Sequence, residues 1–243
     1  MSFTKISLKR FRCFEELELD LSPGVNFFYG TNGSGKTSIL ESIFMFSSGK
    51  SFKSSNIASL INYKFDNFSL RAFDSERGYV AEIRKNINKP ISVQLNNSKI
   101  TTSKLIREFP CSPIHNNTFS FADAPPEFRR KLLDRSIFIA DEQFSSTWFS
   151  FYRSLKQRNS SLKKGTRDEI PVWNNSFIKE GESLSCLRRS FFELTLLEFE
   201  NFLNLTKPNN IFSFFNDINI TFFNGWGDDQ SLNEALESNV EAD

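Results

Sequence analysis

The sequence predicts an α/β fold in which an antiparallel β region surrounds one strand–loop–helix unit and a helical arm is inserted. Three observations predict it. Residues 30–38 read Gly30-Thr31-Asn32-Gly33-Ser34-Gly35-Lys36-Thr37-Ser38, which satisfies G-x-x-x-x-G-K-[ST] at every position. Apolar and polar residues alternate on both sides of that unit, the period of half-buried strands. From Pro126 to about Leu205 the apolar spacing becomes helical.

The elements follow in chain order. Ile6 and Leu8 alternate with Lys5, Ser7 and Lys9, and Phe14, Leu17, Leu19 and Leu21 continue the alternation after a short break. Ser22-Pro23-Gly24 is a turn. Residues 25–29, Val-Asn-Phe-Phe-Tyr, predict an apolar strand running into the glycine motif, and residues 37–46 a helix leaving it. Further strands are predicted at 68–73, 79–83 and 91–95, the last turning at Asn96-Asn97. Phe128, Leu132 and Leu133, then Phe151, Leu155 and Leu162, then Leu184, Leu187, Phe191 and Leu194 mark helices. A polar break at 165–171 suggests that two of them run antiparallel. Strand character returns at 211–215 and 218–223. Ser231 and Glu234 form a capping box that opens a last helix over 231–240. The expected organisation is residues 1–124 as the first half of a head, 125–207 as a helical arm, and 208–243 as a strand return and tail.

The glycine motif carries the chemistry. Gly30, Gly33 and Gly35 let the backbone wrap closely enough for its N–H groups to face phosphate oxygens. The positive end of the following helix adds to the attraction. Lys36 reaches β- and γ-phosphates and the Thr37 hydroxyl ligates Mg²⁺. ATP or GTP with Mg²⁺ is therefore the expected ligand. A Ras-like fold starts directly on the motif's strand. An antiparallel pair before it, and more strands after its helix, is the arrangement of an ATP-binding-cassette (ABC) head.

Two partners of such a site are missing. Ile137-Phe-Ile-Ala-Asp141-Glu142 imitates a Walker B strand, but it continues the basic run from Phe128 without a turn signal, so a helix is expected there. Leu21-Ser-Pro-Gly24 and Leu184-Ser-Cys-Leu187 are poor matches to an L-S-x-G-Q element. The head is expected to be incomplete at its C-terminus, with no catalytic residue in the chain and negligible turnover by residues 1–243 alone.

Composition excludes other classes. The chain of 243 residues carries 30 Lys and Arg against 29 Asp and Glu, a net +1, so global charge names no partner. Its distribution says more. No Lys or Arg follows Lys207, whereas seven acidic residues do, beginning with Asp217, so the body before the tail is moderately basic and compatible with nucleic acid. Cys13, Cys111 and Cys186 form no C-x-x-C and His115 is the single histidine, which excludes a zinc site. No apolar run approaches membrane-spanning length, and a cytoplasmic location is expected.

Several ordered motifs resemble the RecF family of the ABC/SMC ATPase class. They are Leu8-Lys-Arg-Phe-Arg12, Leu21-Ser-Pro-Gly-Val-Asn26 leading into the glycine loop, and Gly49-Lys50-Ser51-Phe52-Lys53. Pro126-Glu-Phe-Arg129-Arg130-Lys-Leu-Leu-Asp134, Gln157-Arg158-Asn159 and Trp173-Asn174 complete the set. The resemblance implies ATP-dependent homodimerisation and binding of single- and double-stranded DNA at gaps or junctions. It also implies recombinase loading with RecO and RecR, and induction of the SOS response. It places Arg12 and Asn117 at the nucleotide, and suggests Lys50, Lys53, Arg129 and Arg130 as cations meeting DNA. Two departures stand out. His115-Asn116-Asn117-Thr118 replaces S-P-E-D, so Asn117 stands where the family has Glu, and Trp173 precedes Asn instead of Asp. The alternatives are another SMC-like or transporter-type ABC ATPase and a P-loop small-molecule kinase.

Overall fold

The computed structural model describes residues 3–112, 114, 124–165, 167–206, 219–227 and 229–238. The chain divides into two compact units, Met1–Phe119 and Ser120–Asp243.

In the first unit six strands form one antiparallel sheet. They are β1 (Lys5–Phe11), β2 (Phe14–Asp20), β3 (Asn67–Asp74), β4 (Tyr79–Asn86), β5 (Ser92–Leu95) and β6 (Ser98–Lys99), in the order β2-β1-β3-β4-β5-β6. Register puts the alternation to use. Ile6, Ala72, Ala81 and Leu95 form one cross-strand row, and Leu8, Leu70, Ile83 and Val93 the next. Both rows are buried, and they pack against Ile39, Met45 and Phe46 of α1 (Lys36–Ser48) and Leu105 of α2 (Thr102–Glu108). Asn96 and Asn97 link β5 to β6 with φ of 48° and 64°, as a tight hairpin turn requires.

The opposite face of the sheet is polar. Ser7, Arg71, Glu82 and Gln94 share one row, and Lys9, Ser69, Arg84 and Ser92 another. Glu82 is buried among them. Its carboxylate accepts from Ser69 Oγ at 3.0 Å and Arg71 Nε at 3.1 Å, and Arg84 Nη2 lies 2.7 Å away. Burial opposes its charge, but the bonds from Arg84, Arg71 and Ser69 outweigh that and hold the pKa below the usual Glu value.

Residues 25–29 depart from expectation. They join no strand ladder, and Val25, Phe27 and Tyr29 are 75%, 85% and 93% exposed while Phe28 packs on the core. The segment is apolar, but a strand also needs a neighbour for its N–H and C=O groups. No described strand takes up that role for residues 25–29, although β2 and β6 stand at the edges of the sheet.

The second unit is helical. It contains α3 (Pro126–Ala140), α4 (Phe144–Lys164), α5 (Ile170–Thr206) and α6 (Leu232–Ser238). Gly165 ends α4 at φ 68°, within the expected break. α4 and α5 run antiparallel: moving back along α4, Ser161 donates to Glu169, Arg158 to Asn174, and Phe151 stacks near Phe177. Arg158 and Asn174 belong to two of the motifs quoted above, and together they brace the arm. Asp134 does the same for α3, accepting from Arg188 at 2.7 and 2.8 Å and from Trp148 Nε1 at 3.1 Å. Ile137, Phe144 and Leu184 form the small core.

Phe128, Leu132 and Leu194 lie on helices as expected but face outward, 53%, 47% and 63% exposed, because the cores here are built by Leu133, Ile137, Leu187 and Phe191. Two expectations in this unit need correction. Residues 219–223 form no strand, while 211–218 lie outside the described residues. Residues 137–140 are helical as expected, but Asp141 falls one position past the end of α3, with extended dihedrals and its N–H on the Ile137 carbonyl. Its segment is no Walker B strand. The capping box holds: Ser231 N donates to Glu234 at 2.7 Å and Glu234 N to Ser231 Oγ at 3.2 Å. Among the described residues no helix is long and apolar enough to cross a membrane.

Candidate functional site

The inner face of α1 is anchored in the sheet core through Ile39, Met45 and Phe46, which fixes where its N-terminus points. Gly35 caps that end at φ 92°, in the left-handed region where a side chain is strained. Space forbids a side chain there as well. A Cβ would sit 2.2 Å from Phe14 Cζ and 2.9 Å from Cys13 Sγ, so the loop lies directly against the β1–β2 turn. Residues 30–34 and Thr37 are exposed, and no acidic residue occupies the first turn of α1.

Lys36 spans the loop. Its ammonium donates to the Gly30 carbonyl at 2.8 Å and to the Thr31 carbonyl at 2.7 Å. A cation, an open helix N-terminus and an exposed hydroxyl therefore lie within two residues of one another. That donor set fits an anion, and a polyphosphate best, because each element meets a different oxygen. A divalent cation fits beside it in a limited way. Among the described residues no group of three or more His, Cys, Asp or Glu could hold a metal, so Thr37 would share such an ion with the ligand's own phosphates.

Arg12 sits in that same β1–β2 turn, against α1 at Glu41. Its φ of 53° turns the chain between β1 and β2, and its backbone N–H bonds the Leu60 carbonyl at 2.7 Å. Nε and Nη2 both donate to Glu41 of α1, each at 2.9 Å. Glu41 is 1% exposed and also accepts from Ser51 Oγ. The Ser51 hydroxyl in turn accepts from Lys53 N and Ser54 N, each at 2.9 Å. The loop bearing Lys50 and Lys53 is thereby tied to the helix that carries Lys36 and Thr37.

The structure thus gathers Gly30 to Ser38 and places Arg12, Lys50 and Lys53 around the same helix. Arg129 and Arg130 are exposed on α3 in the other unit, and Asn117 lies outside the described residues. Glu41 was missed from sequence. The available signal was a lone acid between Ile39 and Ile43 in an otherwise apolar and serine-rich helix.

A family model described as an AAA domain matches residues 5–221. The DNA replication and repair protein RecF of Pseudoalteromonas translucida is 34% identical over 251 residues, taking in 100% of this chain and 67% of that one. The protein of the same name from Cronobacter sakazakii is 31% identical over 247 residues, 100% of this chain and 68% of that one. Among solved structures, the recombination mediator protein RecF-ATPrS in the RecFOR pathway superposes with a TM-score of 0.70 at 24% identity, over 79% of this chain and 54% of that one. Its RecF-ATP counterpart gives 0.65 over the same shares. The chain therefore spans about two thirds of the curated relatives it matches, and about half of the solved chains.

Proposed function

Since the chain belongs to the RecF family of DNA replication and repair proteins, we propose that it binds ATP with Mg²⁺ on the Gly30–Ser38 loop and serves an ATP-dependent DNA-repair assembly. One observation carries the reading: a cation, a bare helix N-terminus and the Thr37 hydroxyl converge on a loop that Gly35 holds against the β1–β2 turn. Lys36 would leave the Gly30 and Thr31 carbonyls for the β- and γ-phosphates. Thr37 would ligate Mg²⁺, which supplies charge neutralisation across those phosphates. Arg12, already oriented by Glu41, would stand on the nucleotide's flank.

The finer assignments come from the family. The full-length protein would dimerise on ATP, bind single- and double-stranded DNA at gaps or junctions, and work with RecO and RecR in recombinase loading and SOS induction. Nucleotide binding becomes dimer affinity when ATP binds the closed form more tightly, a population shift. Lys50, Lys53, Arg129 and Arg130 would meet DNA phosphates. The supporting argument for Lys50 and Lys53 is their tether, through Ser51 and Glu41, to the helix that would hold the phosphates. Residues 1–124 would act as the nucleotide-binding half-head and 125–207 as the arm.

Calorimetric titration of ATP and Mg²⁺ into the chain tests this directly. Binding that disappears in Lys36→Ala supports the site. Undiminished affinity in that variant would overturn it.

A further inference from the structure

On the polar face of the sheet, away from α1, lies a groove of about 290 Å³ lined by Ser7, Lys9, Arg10, Asn67, Ser69, Arg71, Glu82 and Arg84. Four of these are cations. Lys9 forms an exposed ion pair with Glu16 at 2.6 Å, while three features set the arginines and their groove apart from ordinary solvated side chains.

First, the arginines are held from beneath. Buried Glu82 binds Arg71 through one nitrogen, Nε, and Arg84 through another, Nη2, so each guanidinium keeps further N–H donors open. Their side chains are 45% and 55% exposed. Secondly, Arg10 is fixed separately. It takes φ 57°, donates Nη1 to Asn67 at 2.9 Å and stacks 5.1 Å over the Phe65 ring. A non-glycine residue persists in that backbone region only when its surroundings over-determine it. Thirdly, the groove is lined only by polar and charged residues, with no aromatic or aliphatic side chain among them.

We propose that this groove docks the phosphate backbone of double-stranded DNA. β1, β3 and β4 are adjacent, so their cations spread over about 10 Å at ~4.8 Å per strand, a span that meets successive phosphates. Pre-oriented guanidinium forks recognise phosphate oxygens in pairs. A site for unstacked single strands would need aromatic platforms, and the lining has none. The groove uses none of Lys50, Lys53, Arg129 or Arg130, so it is a second DNA contact, and it rests on the DNA-binding reading above.

The test is fluorescence anisotropy of a labelled 30-bp duplex over a salt series with the 243-residue chain. Lys9→Gln/Arg10→Gln leaves the Glu82 cluster intact. Arg71→Gln/Glu82→Gln/Arg84→Gln removes the buried charge with its partners, so neither variant strands a buried ion, and Lys9→Gln releases only the exposed Glu16. Each should weaken duplex binding about tenfold, and the first should lower the log–log salt slope by about 2, with ATP affinity unchanged. If the parent chain binds no duplex, the DNA-binding reading fails and the groove with it. If the parent binds and both variants keep its affinity and slope, the groove alone is overturned. Displacement of the duplex by poly-glutamate at matched charge would also overturn it, in favour of an acidic polypeptide.

Discussion

The Arg12 guanidinium clasps the buried Glu41 carboxylate through two 2.9 Å hydrogen bonds, joining the β1–β2 turn to the helix that starts at Lys36. Arg12 retains 26% exposure at its side chain while Glu41 has 1%, so the pair has a wet end and a dry end. The dry end sets the cost of breaking it. Glu41→Ala strands a cation beside a cavity and frees Ser51, and should lower stability by about 3 kcal/mol, the range for a broken buried pair. Arg12→Ala strands the carboxylate itself and should cost at least as much. Urea unfolding checks both, and losses under about 1 kcal/mol would show that the clasp is dispensable.

Lys36 should behave oppositely. Its side-chain bonds go to two exposed loop carbonyls that water can satisfy. Lys36→Ala should leave the thermal midpoint nearly unchanged and abolish ATP binding, read by calorimetry on the same preparation.

Gly35 and Gly33 separate shape from conformation. Both have positive φ, 92° and 85°, but a Cβ at Gly33 meets nothing within 4 Å. Gly33→Ala should cost about 1 kcal/mol of backbone strain. Gly35→Ala must also displace Phe14 and Cys13 and should cost at least about 2 kcal/mol more. Equal losses in the two variants would show that the β1–β2 turn yields freely.

These residues also show what was legible. The glycine loop, the alternating strands and the helical arm rest on local signals, namely a nine-residue motif, period 2 and period 3.6, and the structure follows them. Glu41 and Asp134 were not legible as bonded groups because their partners are distant in sequence, and Glu82 was not because Arg71 and Ser69 reach it only once β3 and β4 pair. Arg12 lies 29 residues from Glu41, and Arg188 lies 54 from Asp134. Residues 25–29 mark the other limit: an apolar run suggests a strand but says nothing of what pairs with it.

Acid should unfold the first unit through Asp74. Burial raises its pKa, but side-chain and backbone hydrogen bonds from Arg77, at 2.8 and 3.1 Å, outweigh burial, and the net shift is downward. A carboxylate with a depressed folded pKa contributes stability that is full above its unfolded value, about 3.9, and is lost as pH falls through the folded one. Glu82, also depressed, adds to the same loss below about pH 4.3. Urea midpoints measured from pH 7 to pH 3 should therefore fall at the acid end. Asp74→Asn should start lower at pH 7 and fall less. An identical acid slope in that variant would remove Asp74 from the account.

Residues 25–29 carry the last prediction. Val25, Phe27 and Tyr29 form an exposed apolar row on a segment that pairs with no strand among the described residues. Such a segment combines high strand propensity with open backbone donors and no charge, which makes it a template for association. Phe27→Lys puts a charge at the centre of the row without touching the core, since Phe28 makes the core contact. Light scattering of the 243-residue chain on gentle warming should show aggregation that Phe27→Lys delays, while the unfolding midpoint in urea stays within about 0.5 kcal/mol of the parent. Phe28→Lys is the contrasting variant. It buries a charge against the cluster around Phe11 and Phe68, and should lose stability before any gain in solubility appears. If Phe27→Lys and the parent aggregate at the same rate, the association begins elsewhere on the molecule and the exposed row is inert.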